Sequence, residues 1–228
     1  MRLLLLVALA EARTCDVRDF GAKGDGSTND ADSINQAILQ CGTIVFKNGH
    51  TFVTGSVRLK SMLTIVVEPR AVIRAEKLAV GAYDAIEENP WALYQDFGHT
   101  YFQNSMFWGI RVHNVTVTGG GYIFGDTLST GETKNGDGNK MFAFRSSQHV
   151  RLSNIHLQRG GWFTVIVTDV DHFTMVDVEI NATRDGIDIC QCRHVRLDHF
   201  HILRKPPPRT EIDLPESQAR AGRPLPHP

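Results

Sequence analysis

The sequence lacks an excess of charge of either sign, and it lacks long hydrophobic runs. Its 24 Lys and Arg residues balance 25 Asp and Glu residues, giving a formal net charge of -1. Without a strong positive field we expect neither nucleic acid nor an anionic membrane as a partner. The apolar run from Leu3 to Ala10 is too short to span a bilayer. A composition of 42% hydrophobic and 21% charged residues is typical of one globular domain.

Cysteine is also scarce. The chain has four cysteines and no Cys-x-x-Cys motif, which argues against zinc-finger and dithiol redox sites. Cys15 and Cys41 flank the first predicted strand and helix and are the candidate disulfide, whereas Cys190 and Cys192 are too close along one strand for an unstrained bridge. The ten histidines show no metal-ligand spacing. We therefore predict no metal and no cofactor.

The beginning of the chain has the features of a secretory signal. Met1-Arg2 precede the apolar run, and the triplet Ala10-Glu11-Ala12 follows it, which predicts a signal peptide over residues 1–12. A disordered apolar start is the alternative. Sequons at Asn114 and Asn181 are candidate glycosylation acceptors on this route. We expect the mature protein to be extracellular, with the cell wall as a candidate location.

A repeat of about 22 residues determines the predicted fold. The segments His149–Leu157, His172–Ile180 and His194–Ile202 share one pattern, offset by 23 and then 22 residues. A unit of this length, made of short β-branched runs without an internal helix, fits one coil of a parallel β-helix. Val165 then lies over Ile187 and Val167 over Ile189 in the core, while outward-facing Ile166 is replaced by Asp188.

Other segments complete the predicted domain, which spans residues 15–203. A helix capped by Asn29 or Asp30 and ending near Gln40 is expected to cover the first coil. Residues 81–111 and 126–140 do not follow the coil pattern and are predicted to be loops that wall a groove. Residues 204–228 contain seven of the nine prolines and are predicted to be a disordered tail. The β-helix is thus predicted to be truncated at its carboxyl end.

Two aspartates precede that change of pattern, in Arg184-Asp185-Gly-Ile-Asp188-Ile189. A carboxylate pair on a stacked strand can carry out acid–base hydrolysis of a glycosidic bond. It can equally be the ordinary polarity of a solvated strand, and the spacing alone favours that second interpretation. The residues by themselves leave this choice open.

Several ordered motifs add a resemblance to a known family. The motifs are Asp19–Gly26, Gly119–Gly125, Gly138–Lys140, Gly160–Trp162 and Arg184–Ile189. Together they resemble glycoside hydrolase family 28, the polygalacturonases and rhamnogalacturonan hydrolases of the pectin-lyase-like superfamily. The resemblance implies an all-β, right-handed parallel β-helix that hydrolyses pectic polysaccharide with inversion and without a metal. It implies that Asp185 activates water and Asp188 supports the site. Trp162 and Lys140 are the candidate substrate-binding residues.

The sequence departs from this family in its later motifs. The Asp-Asp pair expected one coil beyond Asp185 falls on Pro206–Pro208, no Gly-His-Gly occurs, and Arg58-Leu-Lys60 precedes the aspartates instead of following them. General acid catalysis alone contributes about 10²- to 10⁴-fold, so we predict that the chain as written is not a competent hydrolase. A non-catalytic pectin-binding β-helix is the alternative, and a calcium-dependent polysaccharide lyase is less favoured. The open end of the last coil predicts self-association.

Overall fold

The computed structural model describes residues 13–77, 81–90, 92–132 and 137–203. The predicted signal peptide, the predicted tail and Trp91 lie outside the described residues. The described chain forms a short 3₁₀ turn (Val17–Phe20), helices α1 (Ala31–Gln40) and α2 (Phe97–Thr100), and fourteen strands. The strands are β1 (Thr14–Asp16), β2 (Asp25–Asn29), β3 (Thr43–Phe46), β4 (Thr51–Thr54), β5 (Val57–Arg58), β6 (Leu63–Val67), β7 (Val72–Ala75), β8 (Ser105–Ile110), β9 (His113–Thr118), β10 (Tyr122–Phe124), β11 (Lys140–Gln158), β12 (Phe163–Asn181), β13 (Asp185–Cys190) and β14 (Arg196–Leu203).

All strand pairs among the described residues are parallel, and they stack into three faces of a β-helix. The first face runs through β1, β3, β6, β9 and the middle of β11 and β12 to the start of β14. The second runs through β2, β4, β7, β10 and the ends of β11, β12 and β14. The third runs through β5, β8, the beginnings of β11 and β12, and β13. The parallel β-helix predicted from the repeat is confirmed.

The register within the third face is also the predicted one. Val165 pairs with Ile187, Val167 with Ile189, and Ile166 with Asp188. Val165 and Val167 are fully buried inside the helix, and Ile187 packs against the same core. Because one coil advances the chain by a fixed number of residues, a side chain keeps its inward or outward direction from coil to coil.

The corners between faces explain why histidine recurs. His149, His172 and His194 have φ values of 53°, 61° and 52°, so they occupy the left-handed region. Asn, Asp and His enter this region more readily than β-branched residues do. The rings stack on one another, with centroids 4.6 Å apart for the first pair and 4.4 Å for the second. The regular spacing of these histidines therefore follows from corner geometry.

Helix α1 covers the first coil with Ile34, Ala37 and Ile38, all buried. Asn29 Oδ1 accepts a hydrogen bond from the Ala31 amide at 2.9 Å. Asp30 occupies the N-cap position, but its carboxylate accepts from the amides of residues 23 and 24 at 2.6 and 3.1 Å. A disulfide joins Cys15 and Cys41 beside this helix, with the Cα atoms 6.2 Å apart. The cap closes the hydrophobic interior that a first coil would otherwise expose.

One part of the sequence prediction is wrong. Residues 81–111 were expected to be loop throughout, yet Ser105–Ile110 forms β8 and pairs with β11 in the third face. Met106 and Phe107 are fully buried. A strand that is covered on both sides shows no polar–apolar alternation, so the pattern used to predict strands is missing from its sequence. No helix in the described part of the chain is both long and apolar enough to cross a membrane.

Candidate functional site

Both predicted aspartates lie on the outer side of the third face, as their strand partners show. Asp185 pairs with Phe163, and Asp188 pairs with Ile166. Both of those partners belong to one hydrophobic cluster outside the β-helix. Strict alternation would put residues three apart on opposite sides of a strand. At the equivalent point of β11, however, the consecutive residues Met141 and Phe142 both point into the core, so the alternation is interrupted there on this face. Asp185 and Asp188 therefore share the outer surface of β13.

A covering loop, residues 81–90 and 92–104, closes over the coils that precede β13. It packs onto the third face in a group of buried residues that we call the outer cluster: Phe97, Phe102, Ala143, Trp162, Phe163 and Ile166. Ile166 is an outward position, as predicted, but it is fully buried by this loop. The cover ends at β13, where the side chains of Asp185 and Asp188 are 43% and 31% exposed.

Asp84 holds the covering loop against the coils, whereas Glu87 braces the loop internally and lies 3.4 Å from Arg145 Nη1 of β11. Asp84 accepts hydrogen bonds from Arg58 Nε at 2.8 Å and Trp108 Nε1 at 2.9 Å. Glu87 accepts from the backbone amides of Phe102 and Gln103, each at 3.0 Å. Charge-assisted hydrogen bonds of this kind are among the stronger ones in proteins. They give the loop a defined position, and Arg58, at the start of the Arg-x-Lys triplet, acts here as an anchor.

His99 reaches from the covering loop to Asp188. The Asp96 carboxylate caps helix α2 by accepting from the His99 amide at 3.0 Å, and the same oxygen lies 2.8 Å from His99 Nδ1. His99 Nε2 then lies 3.7 Å from Asp188 Oδ2. Partial burial raises the pKa of Asp96, but the hydrogen bonds from the His99 ring and amide outweigh it and leave that pKa below its usual value. The sequence analysis missed this histidine as a site residue; the only local signal was an Asp three residues before it.

Trp162 and Lys140 do not occupy the positions expected of substrate-binding residues. Trp162 is only 7% exposed; its ring stacks on Phe163 at 5.8 Å, and the Arg184 guanidinium lies 4.3 Å from it. Lys140 is fully buried, and its ammonium donates to Asn139 Oδ1 at 2.7 Å. Burial lowers the pKa of Lys140 to about 7. Both side chains are committed to contacts inside the protein because the covering loop closes over this part of the third face.

The remaining predicted positions are the two sequons and the two later cysteines, of which Cys190 is the last residue of β13. Asn114 is exposed near the start of β9, and Asn181 is half-buried at the end of β12. Cys190 and Cys192 are free thiols near the end of the described chain. Among the described residues, two groups have the donor types of a metal site: His99 with Asp188 and Cys190, and Asp171 with His172 and His194.

A groove of about 660 Å³ is lined by His99, which approaches Asp188, but neither Asp185 nor Asp188 lines it. The covering loop forms one wall, and the corner after the third face forms the other. The groove is lined by Glu88, Asn89, Pro90, Tyr94, Gln95, His99, Phe102, Arg111, Arg145, Ser146, Thr168, Asp169 and Gln191. Arg111 and Arg145 give it cationic groups, and Tyr94, 76% exposed, gives it an aromatic surface. Glu88 and Asp169 offset these cationic groups, and Arg145 Nη1 already lies 3.4 Å from Glu87 Oε1. The lining therefore suits an elongated polar ligand.

Solved structures share this architecture at low sequence identity. An exopolygalacturonase from Thermotoga maritima is 16% identical with a TM-score of 0.67, and 83% of this chain aligns with 54% of that one. A polygalacturonase from Erwinia carotovora is 15% identical with a TM-score of 0.62, over 83% and 54% of the two chains. The family 28 exopolygalacturonase of Yersinia enterocolitica is 14% identical with a TM-score of 0.59, over 83% and 49%. The chain thus spans about half the length of these enzymes.

These likenesses confirm the right-handed parallel β-helix that the sequence predicts. No curated protein sequence matches the chain. A family model described as "Rhamnogalacturonase A/epimerase, pectate lyase-like" matches residues 14–129, about half of the chain. The match covers the helical cap, the early coils and the covering loop, so the chain belongs to the rhamnogalacturonase A/epimerase, pectate lyase-like family.

Proposed function

We propose that this chain forms the polysaccharide-binding part of a glycoside hydrolase that acts on pectic polysaccharides. The observation that carries the proposal is the placement of Asp185 and Asp188 on the same outer side of β13, with the groove-lining His99 3.7 Å from Asp188. Membership of the rhamnogalacturonase-like family supports it, as do the polygalacturonases among the structural neighbours.

The proposed roles follow the chemistry of inverting hydrolysis. Such an enzyme uses one carboxylate to activate water and a carboxylic acid on the other side of the bond to protonate the leaving oxygen, separated by about 6.5–9.5 Å. Asp185 takes the water-activating role and Asp188 the supporting role. His99, held by Asp96, lies beside the Asp188 carboxylate. Arg111 pairs with a uronate carboxylate in the groove, while Arg145 remains paired with Glu87.

The proposed activity of the chain as printed is binding without cleavage. In this proposal β13 supplies the carboxylate that activates water. The Asp-Asp pair that would supply the general acid has no counterpart in the sequence. Removing a general acid costs about 10²- to 10⁴-fold in rate. We further propose an extracellular location, in keeping with the predicted signal peptide and sequons.

Calorimetric titration with oligogalacturonides and with a neutral oligosaccharide of equal length tests the substrate class. We expect binding of the acidic ligand alone, with Arg111→Ala weakening it by about tenfold or more, since a charge-assisted hydrogen bond contributes about 1.5–3 kcal/mol. Arg151→Ala is the matched control because Arg151 is an equally exposed arginine on the first face, outside the groove. Equal binding of both ligands, or equal loss in both variants, would remove pectic polysaccharide as the ligand.

Turnover is measured separately, as release of reducing ends from polygalacturonan and rhamnogalacturonan. We expect no release above the background of an Asp185→Asn variant. Clear release that disappears in this variant would show that the printed chain is itself a hydrolase.

A further inference from the structure

Three potential metal ligands converge where the covering loop meets the last coil. His99 Nε2, Asp188 Oδ2 and Cys190 Sγ all lie within 4.8 Å of one another, and all three residues are half-buried. Asp188 and Cys190 alternate along β13 and therefore project from the same side of the strand. The set combines imidazole, carboxylate and thiol, which are the donor types that zinc uses in proteins.

The spacing of these donors distinguishes them from hydrogen-bonded neighbours. His99 Nε2 is 3.7 Å from Asp188 Oδ2, which is too long for a hydrogen bond. Ligands at about 2.0–2.3 Å from a tetrahedral zinc ion are themselves roughly 3.3–3.8 Å apart. In the group at the corner, by contrast, Asp171 Oδ1 lies 2.7 Å from His194 Nδ1 and 3.1 Å from His172 Nδ1. Those groups already satisfy one another without an ion.

The surroundings of His99 orient it as a metal ligand. Asp96 Oδ1 holds Nδ1 at 2.8 Å, so the Nε2 atom is the one presented to Asp188 and Cys190. A carboxylate behind a histidine is the usual outer support of zinc-bound imidazole. The Glu87 hydrogen bonds fix the backbone just after His99, at Phe102 and Gln103. The donor on the loop and the two donors on the strand are therefore held on anchored elements.

We propose that His99, Asp188 and Cys190 bind a zinc ion and leave one coordination position open toward the groove. His99, Thr168 and Gln191 line that groove, so water or a carboxylate from solvent can reach the fourth position. Binding releases the Cys190 thiol proton to solvent as the sulfur becomes a thiolate ligand. The inference goes beyond the proposed function, which requires no metal, and it does not depend on pectic polysaccharide being the ligand. Asp188 is common to both sites, so its supporting role in hydrolysis applies to the zinc-free chain.

Cobalt(II) is the probe because a cysteine ligand gives it a thiolate-to-metal charge-transfer band in the near ultraviolet. The full chain, with the Cys15–Cys41 disulfide intact and two free thiols confirmed by thiol titration, is titrated with cobalt chloride and then with zinc chloride. We expect the band to saturate at one equivalent and to disappear as one equivalent of zinc displaces the cobalt. Asp96→Asn should weaken zinc binding about 10- to 100-fold while the band is still formed at saturation.

Variants of the two neighbouring cysteines provide the matched comparison. Cys190→Ser should abolish the band. Cys192→Ser should retain it, because Cys192 Sγ faces the carbonyl oxygens of Val167 and Cys190 at 3.5 and 3.3 Å. Asp171→Asn should also retain it. A wild-type protein without the band, or a band that persists in folded Cys190→Ser, would overturn the proposal; circular dichroism establishes that each variant is folded.

Discussion

The third face has two regions that share one backbone geometry and differ in what covers them. Ser105, Lys140, Phe163 and Asp185 occupy equivalent positions on successive coils. The first three are fully buried beneath the covering loop, whereas the Asp185 side chain is 43% exposed. The comparison shows that a loop, rather than the strand itself, decides whether an outward position on this face becomes core or binding surface.

The largest expected effect comes from Phe163→Ala in the covered region. Phe163 is fully buried in the outer cluster, and its loss should lower the free energy of unfolding by about 3–5 kcal/mol. Asp185→Ala at the equivalent outward position of the uncovered coil, where the side chain is 43% exposed, should cost less than half as much. Urea unfolding of both variants measures the difference. Equal losses would contradict the division of the face into two regions.

Lys140 sharpens the same comparison through pH. Its pKa is lowered by burial to about 7 from 10.5, so between these values the unfolded chain binds more protons than the folded one. Stability should therefore rise as the pH increases from about 7 to about 10, by up to ~4 kcal/mol at about 1.36 kcal/mol per pKa unit. Lys140→Met should remove this rise. Denaturant unfolding at several pH values, with Lys77→Met as the exposed-lysine control, tests the assignment.

Gly98→Ala should disturb the cover itself. A Cβ at residue 98 would lie 2.7 Å from Phe163 Cε2 and 2.9 Å from Trp162 Cε2, closer than side-chain packing allows. Overpacking of this kind costs about 1–3 kcal/mol. Thermal unfolding gives the loss, and the fluorescence of Trp162 reports whether the loop has moved. Gly131→Ala, where the nearest atom is 4.0 Å away, is the control and should be nearly neutral.

The smallest effect is expected at the uncovered end. Asp185→Asn replaces an exposed carboxylate, so the free energy of unfolding should change by no more than about 0.5 kcal/mol. The same variant should lose any contribution of Asp185 to ligand binding. A change in stability as large as that of Phe163→Ala would mean that Asp185 supports the fold instead of the site.

The sequence predicted the features that repeat and missed the features that depend on distant contacts. The coil length and the pairing of Val165 with Ile187 follow from the periodicity of the sequence, which appears when the sequence is aligned with itself at an offset of 22 residues. The interrupted alternation at Met141 and Phe142 was missed because both residues are apolar, so the sequence pattern does not indicate which of them points inward. The approach of His99 to Asp188 depends on how the covering loop folds back, which no local pattern encodes.

Two interpretations of individual residues changed for the same reason. Lys140 and Trp162 stand in motifs that resemble a substrate site, and their residue types suit sugar binding. In the structure the covering loop reaches both of them, so their contacts are with Asn139 and with Arg184 and Phe163. The repeat in the sequence predicts the position of a residue on a coil, but it does not predict whether the covering loop buries that residue.

The left-handed corners have a consequence for how such a chain can change in length. Ser146, Asp169 and Gln191 adopt this conformation at equivalent points of successive coils, with φ between 50° and 53°. A deletion or insertion of one or two residues between them would move every following side chain to a wrong position. Removal or duplication of a whole coil would change the height of the stack by about 4.8 Å and leave each remaining coil with equivalent neighbours. Length in this molecule is therefore variable in whole steps, and finer variation is confined to the loops that leave the corners.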